Sequence, residues 1–451
     1  MPRPFCRLLK NSGGKSDRLS WGITENLALL ETGQSGPLPE RWKLTIESAT
    51  LEREGHLLNV ERALKIMDKY QLDALIASKP TNLKYLCNYE SFMHKYIPGT
   101  EAYAVLPNKP GAKPTLIIPV IDMELAVDLL PYVDEIVPFG RFIYYSAPGR
   151  ELCERDKWVK KSAIDSTPIP TVLEAVASVL KKLGLNNKRI GLDESYFSPK
   201  LYQKFVNNIP AAEVVDAFDI FREIRMVKTP EEVEIMEQAV RALEIALENS
   251  LRLAAEGVTE KDFQDVFEKT IFEKGGIPIF TSIYFGAESF YNQVQPSPDK
   301  RLTANSLIRY DVGCLYKGYF ADIARTAFFG QPAEIHKQRY QAIWEAQEAA
   351  LNITKPGTRV SELFNVAVEV ARRGIPEYQR THIGHGIGLE LYEPPSINPA
   401  SDIILEEGMV FNVEPPYYEL GLGGFQVEDT VVVTDKGFRF LTTLDRGLMK
   451  A

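Results

Sequence analysis

Four carboxylates and one imidazole in the C-terminal half of this chain have the types and settings of a single metal-binding cluster. They are Asp311 and Asp322 in DVGCLYKGYFAD, His385 in HIGHGIGLELYEPP, Glu414 in GMVFNVEPP and Glu428 in GFQVEDTVVVT. Each lies in an otherwise apolar, glycine-punctuated stretch, the pattern of a buried strand or its end. One acid in such a place is ordinarily a solvated turn residue. Four converging on one core could not all stay ionised without cations, because like charges at short range oppose one another. Two divalent metal ions would cancel the four negative charges, with the histidine as a nitrogen ligand. The oxygen-rich donor set suits Mn, Fe, Co or Zn, and no thiolate biases it toward softer metals.

Strands must position these groups. Period-two alternation puts Ile308, Tyr310 and Val312 on one face of a strand and Asp311 on the other. After a turn at residues 316–318 the chain returns with Phe320, Asp322, Ala324 and Thr326 on one side, so an antiparallel hairpin would bring the two aspartates together. Val410, Asn412 and Glu414 share a face, as do Gln426, Glu428 and Thr430. Ahead of these strands, Thr229-Pro230-Glu231-Glu232 reads as a capping box with proline at the first helical position. The helix it opens carries Val233, Met236, Val240, Leu243, Leu247 and Leu251 on one face, with Gly257 as its expected stop. Further helices are expected over 260–274, 335–353 and 360–373. Between residues 51 and 221 helix and strand patterns alternate: LEREGHLLNVERALKIMDKYQ is helical, and LDALIAS, AYAVLP, PTLIIPV and KRIGLDE are strands, an α/β signature. We therefore expect an arm over 1–50, an α/β domain over 51–224 and a catalytic domain over 225–451.

These segments resemble the pita-bread metallopeptidase family of prolidase, aminopeptidase P and creatinase-like proteins. The family pattern pairs two aspartates with ten residues between them in "DxG…GYxxDIxRT", and here Asp311, Gly313, Gly318, Tyr319, Asp322, Ile323, Arg325 and Thr326 keep that spacing. The "GHGIGLxxHExP", "GMVFxxEPxxY" and "xIEDTxxVT" segments follow around His385, Glu414 and Glu428. REIRMVKTPEEVEIMEQA and ALIASKPTNLKYLCNYESF resemble the same subfamily, and the resemblance spans about residues 50–445. It implies an α+β pita-bread domain with a curved antiparallel sheet, preceded by a creatinase-like α/β domain. It also implies Asp322 and Glu428 as bridging ligands, Asp311 on one metal, His385 and Glu414 on the other, and a shared activated water as nucleophile. Glu414 would double as proton shuttle. A homodimer is implied too, with the N-terminal domain covering the neighbour's site.

The chain departs from the proline-specific members at substrate-positioning histidines. One position falls at Asn292–Gln295, and no histidine occurs between residues 95 and 335. Another is Thr381, although His382 adjoins it; a third is Tyr392, and the arginine of "RIEDT" is Gln426. His382 and Tyr392 are thus the candidate catalytic residues beside Glu414. His94, Tyr392, Tyr417 and Gln426 are the candidate substrate contacts, His94 acting in trans. The implied activity is metal-dependent hydrolysis of a C–N bond in a small amide, amidine or Xaa-Pro-type dipeptide, in a member diverged from true prolidases. The alternative is a dimethylsulfoniopropionate-lyase-like, non-hydrolytic enzyme, for which Phe290, Tyr291, Tyr392, Tyr417 and Tyr284 could cage a cationic substrate. A catalytically dead interaction module is the third reading, and the intact ligand set argues against it.

Bulk properties narrow the rest. The length of 451 residues is that of about two or three domains. A net charge of −9 and the absence of a basic run argue against nucleic-acid binding. No apolar run reaches the length of a membrane span and no signal peptide is evident. Four scattered cysteines without a CxxC pair fit a reducing cytoplasm. GHGIG lacks the lysine and context of a phosphate loop, and its glycines are expected to permit close approach to the metals.

Overall fold

The computed structural model describes residues 57–97, 99–193, 199–209 and 213–451. The expected arm over 1–50 and the start of the helix expected from residue 51 lie outside the described residues. That helix is seen from Val60 to Lys69, begun by the Asn59 side chain accepting from the Arg62 N–H. Beyond it, six strands form one mixed sheet: β1 (Ala74–Ala77), β2 (Tyr103–Pro107), β3 (Thr115–Pro119), β4 (Glu135–Phe139), β5 (Arg189–Leu192) and β6 (Glu213–Asp216), in the order β4-β3-β2-β1-β5-β6. The β1–β2 and β2–β3 pairs are antiparallel and the other three parallel. β1 is buried along its whole length, which is why it reads as an unbroken apolar run rather than an alternating one.

The capping box forms as expected. Thr229 accepts from the Glu232 N–H while the Glu232 carboxylate accepts from the Thr229 N–H, opening the helix Pro230–Leu251. All six residues of its expected apolar face are buried. The helix stops at Leu251, short of Gly257, whose N–H is taken by the Leu302 carbonyl in the following loop. A second helix, Glu260–Glu273, follows.

Three long strands then make the hairpin stack that carries the aspartates: β7 (Ile277–Phe285), β8 (Ser306–Tyr316) and β9 (Tyr319–Phe329). Lys317 and Gly318, at φ of 50° and 87°, form the tight turn between β8 and β9, the two-residue geometry whose twist suits a hairpin. Tyr310, Val312 and Cys314 face the helices and pack with Ala239, Val240, Leu243, Phe263 and Phe267. Alternation therefore turns Arg309, Asp311 and Gly313 to the opposite face.

That face meets a second antiparallel sheet. Its strands are β10 (His385–Gly386), β11 (Glu393–Ser396), β12 (Val410–Val413), β15 (Asp429–Val433) and β16 (Phe438–Phe440), ordered β11-β10-β12-β15-β16. A small hairpin of β13 (Tyr417–Glu419) and β14 (Gly423–Phe425) lies between β12 and β15 in sequence, and β17 (Met449–Lys450) adds in parallel to β9. The helices Glu334–Asn352 and Val360–Gly374 cover this second sheet through Ile343, Ala346, Leu363 and Ala367, packed with Phe411, Val413, Val431 and Val433. The architecture is the α/β N-terminal sheet followed by the α+β pita-bread arrangement that the resemblance implied. No helix among the described residues is long and apolar enough to cross a membrane.

Candidate metal centre

The hairpin register sets the aspartates. Asp311 lies opposite Ala324, and Asp322 opposite Gly313, so the two are diagonal neighbours on one face. The Glu428 N–H donates to the Ala324 carbonyl at 3.0 Å, which docks the start of β15 onto β9 beside Asp322. In the second sheet Asn412 pairs with Thr430, and the same register continued one step on that face places Glu414 opposite Glu428. His385 enters from β10, the neighbour of β12.

Five groups on two sheets thus converge. Ligand atoms of Asp322, His385 and Glu428 lie within 4.8 Å of one another. His385 Nε2 is 3.8 Å from Asp322 Oδ2 and 3.7 Å from Glu414 Oε1, spacings a cation about 2.1 Å from each donor would span. Asp322, His385, Glu414 and Glu428 are 8% exposed or less.

The donor atoms test whether cations fit. Asp322 Oδ1, His385 Nε2 and Glu428 Oε2 are buried with no hydrogen-bond partner, half of all such side-chain atoms among the described residues. A buried polar atom without a partner is costly, and three aimed at one point call for a ligand. Electrostatics agree. Burial, and then the Asp311 and Glu414 charges, hold the Asp322 carboxyl well above its usual range. Burial and the Asp322 charge do the same to Glu428. Burial and Asp311 push Glu414 up to about 8, and burial pulls His385 down to about 4, leaving it the neutral imidazole that a metal requires. The residues present fit divalent metal ions.

Surrounding groups fix these donors. His385 Nδ1 faces the Gly386 carbonyl at 3.0 Å, which directs Nε2 to the cluster. Tyr392 stacks on the His385 ring at 3.8 Å between centroids and 21° between planes. Asn412 Nδ2 donates to Glu428 Oε1 at 2.8 Å, and Thr430 Oγ1 donates to Asn412 Oδ1 at 2.8 Å, leaving Glu428 Oε2 for the centre. The glycines of GHGIG admit a close approach of neighbouring strand backbone. A Cβ on Gly384 would meet the Asn412 carbonyl oxygen at 2.1 Å and one on Gly386 the Pro394 carbonyl oxygen at 2.3 Å. Their smallness lets β10 fit between β11 and β12.

The other expected residues divide. Tyr392 is at the cluster and 53% exposed, its hydroxyl within electrostatic reach of all four carboxylates. His382 is half-buried beside it, with ring centroids 6.4 Å apart, and its Nδ1 meets Thr381 Oγ1 at 3.1 Å. Gln426 is buried at the cluster: its Nε2 donates to Glu414 Oε2 at 3.3 Å, while its Oε1 accepts from Arg309 and from Tyr418 Oη. Tyr417 is turned away, toward Glu377 and Arg339. Its strand neighbour Tyr418 faces the site instead, because successive side chains alternate across β13. His94 lines a cavity of about 550 Å³ with Lys84, Tyr96, Gly318 and Phe320, and none of the five cluster residues borders that cavity.

Two guanidinium groups escaped the sequence reading. Arg309, fully buried, reaches Asp311 and Gln426. Arg380 lies over the Tyr418 ring at 5.5 Å and close enough to Glu414 to lower its proton affinity, and its Nε is buried without a partner. For Arg309 a signal was present: a charged residue in the apolar run SLIRYDVG, two positions from Asp311 and hence on its face. The Glu414 carboxylate near Arg380 comes from a segment more than thirty residues away, so no local pattern marks it.

Comparison with known proteins follows the same outline. The profile of Metallopeptidase family M24 matches residues 234–435, and that of the creatinase/prolidase N-terminal domain matches residues 59–227. The chain is 28% identical over 396 residues to a Xaa-Pro dipeptidase of Pyrococcus furiosus, covering 86% of this chain and 99% of the relative. Among solved structures, the prolidase from Pyrococcus furiosus superposes with a TM-score of 0.65 at 27% identity, over 85% of this chain and 100% of that one. An X-Pro aminopeptidase from Thermotoga maritima superposes with a TM-score of 0.66 at 25% identity, over 87% and 99%.

Proposed function

The chain belongs to the pita-bread metallopeptidase family, in its prolidase- and creatinase-like branch, and on that basis we propose that it hydrolyses small Xaa-Pro-type dipeptides at a dinuclear metal centre. The observation that carries the reading is the convergence of Asp311, Asp322, His385, Glu414 and Glu428 with three buried, unpartnered donor atoms. The ligands are all oxygen or neutral nitrogen donors, which fits Mn, Fe, Co or Zn. When bound, two such ions neutralise the carboxylates, polarise the scissile carbonyl and lower the pKa of the attacking water.

The remaining work falls to side chains. Glu414, held through Oε2 by Gln426, moves the proton from the attacking water toward the leaving nitrogen. Tyr392 and His382, at the open side of the cluster, donate hydrogen bonds to the carbonyl oxygen and to substrate polar groups. Arg380 offers its unpartnered Nε–H and its charge to the free carboxylate of a dipeptide. His94 would act in the site only from a partner subunit, since none of the five cluster residues borders its own cavity. A homodimer is favoured by Phe92, Tyr96 and Ile97, which expose 69%, 62% and 41% of their surfaces in the same segment. Four scattered cysteines, with Cys87 and Cys314 buried and unpaired, favour a reducing compartment.

The lyase reading loses its main support. Of the five rings named for it, Tyr284 has Arg309 5.5 Å from its centroid, Tyr417 has Arg339 at 5.7 Å and Tyr392 stacks on His385; Arg309 and Arg380 also lie over the neighbouring Tyr418. Two guanidinium groups repel a sulfonium or quaternary ammonium substrate and attract a carboxylate. Release of proline from Xaa-Pro dipeptides by protein reconstituted with Mn or Co tests the proposal. Metal-dependent release supports it; a metal-loaded protein that cleaves no Xaa-Pro dipeptide overturns it.

A further inference from the structure

We propose that Arg309 is a positioning residue of the metal centre, supplying from β8 the guanidinium that the sequence lacks at position 426. The inference rests on the metal-centre reading but not on the substrate. Arg309 has no exposed surface. A guanidinium cannot shed its proton in a protein, so a buried one needs an anion and a full set of acceptors. Its ion pair is with Asp311, Nη1 to Oδ2 at 3.2 Å. The same Nη1 donates to Gln426 Oε1 at 2.7 Å, Nε donates to the Ser289 carbonyl at 2.7 Å, and Nη2 donates to the Tyr291 carbonyl.

The consequence is a rigid relay between two ligands from different sheets. Arg309 occupies one oxygen of Asp311, which leaves the other to face the centre. Through Oε1 of Gln426 it also fixes which way that amide lies, because an oxygen accepting from Arg309 and Tyr418 Oη cannot be the nitrogen. The Gln426 amide must then present Nε2 to Glu414 Oε2, as it does at 3.3 Å. One cation therefore orients Asp311 directly and Glu414 through a glutamine. Since the Arg309 and Gln426 side chains touch, an arginine at position 426 could reach Asp311 from the connection between β14 and β15. The two positions are interchangeable sources of one charge.

Metal titration by calorimetry on Arg309→Leu and on the double variant Arg309→Leu/Gln426→Arg tests this, with Mn as the probe and folding followed by circular dichroism. Loss of a partner that orients a ligand costs about 10- to 100-fold in metal affinity. We expect the single variant to lose affinity by that factor, and the double variant to regain most of it. Wild-type affinity in a folded Arg309→Leu protein contradicts the proposal. So does a double variant no better than the single one, whether both are folded with weak metal binding or both fail to fold, since Arg309 would then be a strut and not a replaceable charge. Failure of dipeptide hydrolysis in the wild type would sink the substrate assignment while leaving this readout intact.

Discussion

The members of the candidate metal cluster were legible as a set, through their order and the family pattern they resemble, and not one at a time, since a single acid at a strand end is ordinarily a solvated turn residue. What the sequence could not disclose was the set of groups that hold them. Asn412 and Thr430 orient Glu428, and nothing about an asparagine in GMVFNVEPP announces that role. Tyr418 was passed over for Tyr417 because β13 is only three residues long, too short for alternation to say which face is inward. At this scale two substitutions are decisive. Glu428→Gln removes a ligand charge while keeping shape, and hydrolysis should fall by more than about 100-fold with metal content reduced; metal analysis and proline release on the same sample check both. Arg380→Leu should raise KM for a Xaa-Pro dipeptide about 10-fold or more and leave KM for its C-terminal amide nearly unchanged, an effect of about 1.4 kcal/mol or more on carboxylate recognition. Equal effects on acid and amide would remove Arg380 from substrate binding.

Among the elements, the β8–β9 hairpin and the capped helix Pro230–Leu251 were readable from local chemistry, since a capping box and an alternating strand are written within a few residues. The helix end was not, because Leu251 yields to tertiary packing rather than to the glycine six positions on. The crossing of β10 between two strands was invisible as well: it depends on the close approach at Gly384, where φ is +152° and a Cβ has no room. Gly384→Ala should therefore destabilise the protein by about 3 kcal/mol or more, through strain and displacement of β12 together, as read by chemical denaturation. A buried ion network steadies the loop that carries Tyr392. Glu393 accepts from Arg225 at 3.2 Å and from Lys228 at 2.8 Å, Arg225 also holds Glu390 at 2.8 Å, and Arg222 donates to the Tyr392 carbonyl. Glu393→Leu leaves two buried cations short of an anion, so a loss of about 3–5 kcal/mol is expected in the same measurement. A change below about 1 kcal/mol would show that the network is dispensable.

Among the described residues an α/β sheet drawn from residues 74–216 precedes two largely antiparallel sheets whose seam is the candidate metal centre. The alternation of helix and strand conveyed the first part, and the five clustered residues conveyed converging strands, expected as one curved antiparallel sheet; the division into two sheets came from the structure. How the sheets meet had to be seen. The buried Arg325–Asp429 pair, at 2.6 Å, joins β9 to β15, with Gln347, Thr442 and Arg446 also donating to Asp429. With candidate ligands on both sheets, a bound metal would clamp the fold. Metal at about 100 times its dissociation constant should add about 2.7 kcal/mol of stability per site, seen as a rise in Tm that a chelator reverses. The measurement that reaches furthest is the metal content of protein purified without chelator and exposed in turn to Mn, Fe, Co and Zn. The account predicts about two ions per chain for at least one of them. No bound metal under any of these conditions would contradict it.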